Sequence, residues 1–210
     1  MHAPLDAIDA IHSAFRLHLQ QIDEEAYAVA ANGGSLDPTI ERLRLTSEFL
    51  LLHADGEEKF VFTAIDKIAP HLVELYTKDH RELDTMTEGL AKIESARTPL
   101  DAARATAVLR NHLRVHLDKE DTYLYPMLRA HTTPAEQGPI VGGMAGGVPP
   151  ERMPAFIDWL FPIIDTINSV KMADVWKQLM PEPVFANLAP LIEKATGDDW
   201  AEIAREIGLA

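Results

Sequence analysis

The chain contains no cysteine. That excludes disulfides, thiolate zinc sites, iron–sulfur clusters and thiol catalysis, and leaves nitrogen and oxygen to hold any metal. Positive charge is also scarce: 19 Lys and Arg stand against 33 Asp and Glu, a formal charge of -14. Nucleic acid and anionic membrane surfaces are repelled by such a protein, so neither is expected as a partner. Long apolar runs are missing as well. The most apolar stretch, residues 156–170, is interrupted by Asp158, Pro162 and Asp165, and falls short of the ~20 uninterrupted apolar residues of a membrane span. The opening Met1-His2-Ala3-Pro4-Leu5-Asp6 has neither the basic flank nor the apolar core of a secretory signal, and a cytoplasmic location is expected. What is present is 47% hydrophobic content in 210 residues, enough for a packed core.

That content is distributed with helical periodicity. Ile8, His12, Phe15, Leu19, Ile22, Ala26 and Val29 step by four and three until Asn32-Gly33-Gly34 stops the pattern. A second stripe opens at Asp37-Pro38 and runs through Leu43, Thr46, Leu50, His53, Glu57, Phe60 and Ala64. A third, from about Pro70 to Glu94, carries Val73, Tyr76, His80, Leu83, Thr87 and Leu90; a fourth opens at Thr98-Pro99 and carries Ala105, Leu109, His112, His116, Glu120, Tyr123 and Met127. Pro126 is expected to kink or end the fourth helix, and Gly56 hints at a close helix approach or flexibility in the second. The fold class is therefore all-α: an up-down-up-down four-helix bundle over residues 1–131. A Gly/Pro-rich linker is expected over 132–150, with 138–150 read as a loop, followed by short amphipathic helices over 151–210 that hold all three tryptophans. Those helices are expected to pack on the chain's own bundle, with a homodimer surface as the alternative.

Two stretches share the spelling His-x-x-x-Glu: His53 to Glu57, and His116 to Glu120. The spacing puts imidazole and carboxylate one turn apart on one helix face. His12 and His80 sit on the stripes of the other two helices. In an antiparallel bundle rising ~1.5 Å per residue all six reach a similar height. Burying such groups without partners is costly, so either ion pairs with protonated His or metal ions must compensate them. Mixed imidazole and carboxylate donors suit divalent iron, or manganese, with carboxylates bridging two ions. Zinc is a less favoured occupant because its structural sites close with four ligands; calcium and magnesium prefer oxygen.

The order H…HxxxE…H…HxxxE is carried by Ile11-His12-Ser13-Ala14-Phe15-Arg16, by His53-Ala54-Asp55-Gly56-Glu57-Glu58, by Asp79-His80-Arg81-Glu82-Leu83 and by His116-Leu117-Asp118-Lys119-Glu120. It resembles the hemerythrin-like (HHE cation-binding) family over roughly residues 5 to 131. The resemblance implies a four-helix bundle and a non-haem di-iron centre, oxo- or hydroxo-bridged. It also implies dioxygen, hydrogen peroxide or nitric oxide as the small molecules met there. Oxygen-carrying members differ in having a His-x-x-x-His pair on the third helix and His-x-x-x-x-Asp on the fourth. Here the third offers only His80, flanked by Tyr76 and Asp84. His112 is a candidate seventh ligand or a residue behind the ligands, and Asp121 is an alternative to the preferred Glu120. Tyr76 and Tyr123 are further candidates behind the ligands. Glu58 reads as a surface acid, and Arg16 as the partner of an acid at the bundle end. His2, His18, His71 and His131 read as surface residues. The polar residues on the stripes favour redox turnover of small oxidants over reversible carriage; an oxygen or iron sensor or store is the alternative.

Overall fold

A computed structural model describes residues 1–82, 91–93 and 95–209. The described residues form helices joined by short connections, without strands. Four rods build the bundle. The first is α1 (Asp6–Asn32), ended by Gly33 at φ +79°, a conformation open to glycine without strain. The second runs as α2 (Asp37–Gly56), a π-helical turn (Glu57–Val61) and α3 (Phe62–Asp66). The described part of the third is α4 (Pro70–Glu82); Leu83, Asp84, Thr87, Leu90 and Glu94 lie outside the described residues. The fourth runs as α5 (Pro99–Lys119), a second π-helical turn (Glu120–Leu124) and α6 (Tyr125–His131). Its start is capped by Thr98, whose Oγ1 accepts from the Asp101 amide at 3.2 Å, satisfying one of the helix's free N–H groups.

The two π turns explain where the stripes depart from regular periodicity. A π turn inserts one extra residue into a helix, so every side chain after it moves round by one position. Phe60 and Ala64 were expected inward; Val61 and Ile65, each one residue later, are the fully buried ones. Likewise Tyr123 and Met127 give way to Leu124 and Leu128, both 0% exposed, while Tyr123 is 64% exposed. Pro126 stands two residues after the second π turn, in the first turn of α6, where its missing N–H is tolerated. The equivalent position in the second rod is Thr63, so proline is not what creates the turn.

Beyond the bundle come α7 (Pro134–Ala145), α8 (Met153–Leu160), α9 (Thr166–Leu179), α10 (Glu182–Thr196) and α11 (Trp200–Glu206). The loop expected over 138–150 is corrected by α7, which covers most of that stretch. Its start is a full capping box: Thr133 Oγ1 accepts from the Glu136 amide and Glu136 Oε2 accepts from the Thr133 amide. One of its glycines, Gly143, is there for contact. A Cβ on Gly143 would stand 2.5 Å from the Phe60 ring, and one on Gly56 would stand 3.2 Å from Met144. Gly56 thus marks close approach between α2 and α7, and tertiary packing overrides the low helix propensity of this composition.

The later helices share one continuous apolar core with the bundle. Trp159 packs against Phe15, Phe49 and Phe156 and stacks on His18 at 4.8 Å. Phe156, Trp159 and Trp176 are all under 9% exposed, each burial worth roughly 1.5–3 kcal/mol by apolar area. Ion pairs from Lys171 to Asp9 and from Arg152 to Glu48 add register. His18 is a second correction. It is 5% exposed, with Nε2 donating to the Trp159 carbonyl at 2.9 Å. The fourth-step stripe missed it because the surface it occupies on α1 is covered only by the later helices.

Candidate metal centre

Six side chains from four rods meet in the bundle interior. His12 comes from α1, His53 from α2, Glu57 and Glu120 from the first residues of the two π turns, His80 from α4 and His116 from α5. Glu57 and Glu120 are 0% exposed. Nε2 of His12 lies 3.0 Å from Nε2 of His53. Glu57 faces His53 through Oε1 at 3.3 Å and His80 through Oε2 at 3.4 Å. Glu120 faces His80 and His116 through Oε1 at 3.5 and 3.2 Å, and His12 through Oε2 at 3.7 Å. Each carboxylate therefore lies between two sets of imidazoles.

These separations test whether the residues fit metal. Nitrogen and oxygen donors each about 2.1 Å from a shared ion, near right angles, lie roughly 3.0–3.4 Å apart. Donor pairs here fall at or near that spacing. Glu57 Oε2, His80 Nε2 and both oxygens of Glu120 are buried without a hydrogen-bond partner, an expensive condition for a protein to maintain without compensation. Two groups of donor atoms lie within 4.8 Å of one another: His12, His53, Glu57 and Glu120; and His80, His116 and Glu120. Both could hold a metal ion.

The residue after each carboxylate orients an imidazole on a neighbouring rod. Asp121 Oδ1 accepts from His12 Nδ1 at 2.7 Å, and Glu58 Oε1 accepts from His80 Nδ1 at 3.3 Å. Fixing the proton on Nδ1 turns the Nε2 lone pair into the site. Arg16 holds Asp121 at 2.7 Å and Asp118 at 3.0 Å, while Arg81 holds Glu58 at 3.1 Å. Glu58 is thus not the free surface acid the sequence suggested, and Asp121 supports His12 from behind.

Protonation follows the same geometry. Burial alone would lower the His80 pKa, but the close Glu120 and Glu57 carboxylates outweigh it and raise it to about 10. For His12, burial is again outweighed by Asp121 and Glu120, and the pKa rises. Burial pushes the Glu57 carboxyl up, yet His53 and His80 hold it well below the usual range. Glu120 is lowered too: burial and the Glu57 charge oppose the change, while His116 and His80 drive it. Two buried carboxylates recruit positive charge, which protons supply in the absence of a cation; a metal binds by displacing them.

A family profile, the hemerythrin HHE cation binding domain, matches residues 3–128. The chain belongs to this hemerythrin family. It is similar to the zinc finger protein BRUTUS of Arabidopsis thaliana, 24% identical over 147 residues, which cover 67% of this chain and 12% of that protein. Two BRUTUS-like zinc finger proteins of the same plant are 20% and 23% identical over 87% and 81% of this chain, and over 16% and 14% of their own lengths. The chain thus spans less than a fifth of these relatives. No solved structure matches.

Within this hemerythrin domain the other sequence candidates are distributed differently. Half-buried His112 is not among the converging donors. Tyr76 is buried and donates to the Lys119 carbonyl at 3.1 Å, at the point where the second π turn begins. Tyr123 faces solvent. The phenol at the site is Tyr125, which donates to Glu57 Oε1 and packs its ring 5.5 Å from His12. Burial, then the Glu57 and Glu120 charges, push its pKa well above the usual phenol value. Alpha-helical spacing conceals it, since it lies five residues after Glu120; only a π turn brings it inward. Its counterpart in the first motif is Phe62, whose ring lies 4.8 Å from that of His80. None of the described helices is long and apolar enough to cross a membrane.

Proposed function

We propose that this hemerythrin domain holds two iron ions, one among His12, His53, Glu57 and Glu120 and one among His80, His116 and Glu120. We propose further that it binds and turns over small oxidants: hydrogen peroxide, dioxygen or nitric oxide. The observation that carries the reading is the pair of buried carboxylates, each with an imidazole from two different rods within 3.7 Å of its oxygens. Iron rather than zinc is favoured by six shared nitrogen and oxygen donors, and over calcium by the imidazole share. Bound iron would supply one- and two-electron redox chemistry at coordination positions the protein leaves open.

The chain's own residues supply the rest. Burial of the donors excludes bulk water. Asp121 and Glu58 keep two imidazoles in the tautomer that offers Nε2 inward. Tyr125 holds a proton at its hydroxyl, against Glu57 Oε1, where it is available to a small molecule at the site. Peroxide decomposition needs such a proton source; stable oxygen carriage is better served without one.

The test is to count iron per purified chain, record the visible spectrum, and follow oxygen release after adding peroxide. Two irons with rapid release support turnover. A second reading, a binding module that senses or stores without turnover, is favoured by the recurrence of this segment as 12–16% of much longer relatives. It predicts two irons, a reversible oxygen-dependent spectrum and no release. Absence of iron, with a melting temperature unmoved by chelation, would sink both.

A further inference from the structure

His53 lines an apolar cavity of about 60 Å³ together with Phe15, Phe49, Phe156 and Met172 among others. Among the described residues His53 is the only titratable side chain on its lining. A second, wider hollow of about 380 Å³ opens between α7, α8, α9 and α10, and carries no charged side chain. The two hollows share Val141, Ala145, Val148, Met153 and Trp176. The hollows therefore abut, with those five side chains between them. Every shared residue lies beyond residue 128, outside the family match, so this junction belongs to what this chain adds to the hemerythrin bundle.

Resting on the proposed oxidant-binding site, we infer that the segment after residue 131 gives that site a dry access route. It admits small uncharged diatomic molecules, dioxygen or nitric oxide, in preference to hydrogen peroxide. Size and polarity carry the choice. An apolar cavity stays dry and takes apolar guests, and at about 60 Å³ this one is smaller than the roughly 150 Å³ cavity that admits benzene. A diatomic gas loses nothing on leaving water for such a lining. Peroxide must give up its hydrogen bonds to water and finds no replacement there. On this inference polar molecules are left to the side of the site where Glu58 and Asp121 are partly exposed. The methionines Met144, Met153 and Met172 on the lining are adaptable enough to let a guest pass.

The test uses the whole chain and xenon as the probe. Xenon-129 resonance, or xenon-pressurised crystals, should show one atom bound beside His53 and Phe156, and Ala145→Phe should abolish it by filling the junction of the two hollows. Val148→Phe repeats the block from a different position should the first variant misfold. In the iron-loaded, reduced protein the same variants should slow nitric oxide binding roughly tenfold while oxidation by hydrogen peroxide keeps its rate. No xenon in the wild-type protein overturns the inference. So does equal slowing of both molecules, or unchanged nitric oxide binding once the cavity is filled. A chain that binds no iron would end the proposed function instead; the xenon measurement then still reads the cavity on its own.

Discussion

Tyr125 reaches Glu57 from the far side of a π-helical turn: its hydroxyl donates to Glu57 Oε1, and the turn Glu120–Leu124 is what swings the ring inward. The first motif places Phe62 at the equivalent position, its ring 4.8 Å from that of His80, so at this position the two motifs differ by one hydroxyl. Replacing Tyr125 by Phe keeps the ring and removes the donor from a buried carboxylate. We expect Tyr125→Phe to cost about 1–3 kcal/mol in the metal-free protein, measured by urea denaturation. Peroxide turnover in the iron-loaded protein should fall while its iron content stays. Unchanged turnover would show that the hydroxyl plays no part.

The acids behind the imidazoles give a second expectation. Asp121 and Glu58 each hold an Nδ1–H, and loss of such a partner typically weakens metal binding about 10–100-fold. Asp121→Ala and Glu58→Ala should therefore each loosen iron by that order, read by competition with a chelator. Asp121→Ala is expected to be the more severe, because its contact is 2.7 Å rather than 3.3 Å. Variants that bind as tightly as wild type would mean the imidazoles are oriented by packing alone.

Glu57→Ala and Glu120→Ala test the centre itself. Each removes a carboxylate lying between two sets of imidazoles, so each should lose most bound iron rather than one ion in isolation. The melting temperature of the wild-type protein should fall on chelation, by the linkage that makes a metal bound only to the folded state stabilising. Retention of both ions by either variant would overturn the proposed ligand set.

Much of this was legible before any coordinates. Stripes of period 3.5 located the rods and brought forward His12 and His80, and the two His-x-x-x-Glu spacings brought forward the other four residues that converge, because both rest on helical repetition alone. What lay after each Glu was not legible. Nothing in residues 57–61 or 120–124 announces a π turn, and each one displaces the pattern by a residue, which is why Tyr123 was expected near the site and Tyr125 was not. The stretch 138–147 misled for a different reason. Its five glycines signal a loop by propensity, yet Gly143 is required by the Phe60 ring, a contact between residues 83 apart. His18 was misjudged because the surface covering it comes from Trp159, 141 residues away.

That buried histidine gives a pH expectation. Burial, with the Arg42 charge adding to it, lowers the His18 pKa from 6.5 to about 4 although the Trp159 carbonyl opposes the change. Between those values the unfolded chain binds a proton that the folded chain refuses, so stability falls as pH drops through this window and is unaffected by this residue above it. The difference corresponds to about 3 kcal/mol at most. Comparing wild type with His18→Gln, which keeps a donor for the Trp159 carbonyl, isolates the residue from other acid-labile groups. The wild-type advantage should shrink steadily from pH 6.5 towards 4. A difference independent of pH would mean that His18 titrates normally.

The contact between α7 and the first π turn supplies the last expectation. Gly143 meets the Phe60 ring so closely that a methyl group there would stand 2.5 Å from a ring carbon, a distance that forces one of the two to move. Phe60 follows Glu57 by three residues within the same π turn, so the displaced ring pushes on the backbone that aims the carboxylate. Gly143→Ala should destabilise the fold by about 1–3 kcal/mol, the usual cost of overpacking. Phe60→Leu, which shortens the obstructing side chain, should recover part of that loss in the double variant, giving a coupling energy well outside the additivity expected of distant sites. If the effect reaches the centre, Gly143→Ala will also weaken iron binding, and the double variant will restore it. Additive stabilities, or iron affinity that ignores Gly143 altogether, would show that α7 merely covers the bundle and does not brace the carboxylate.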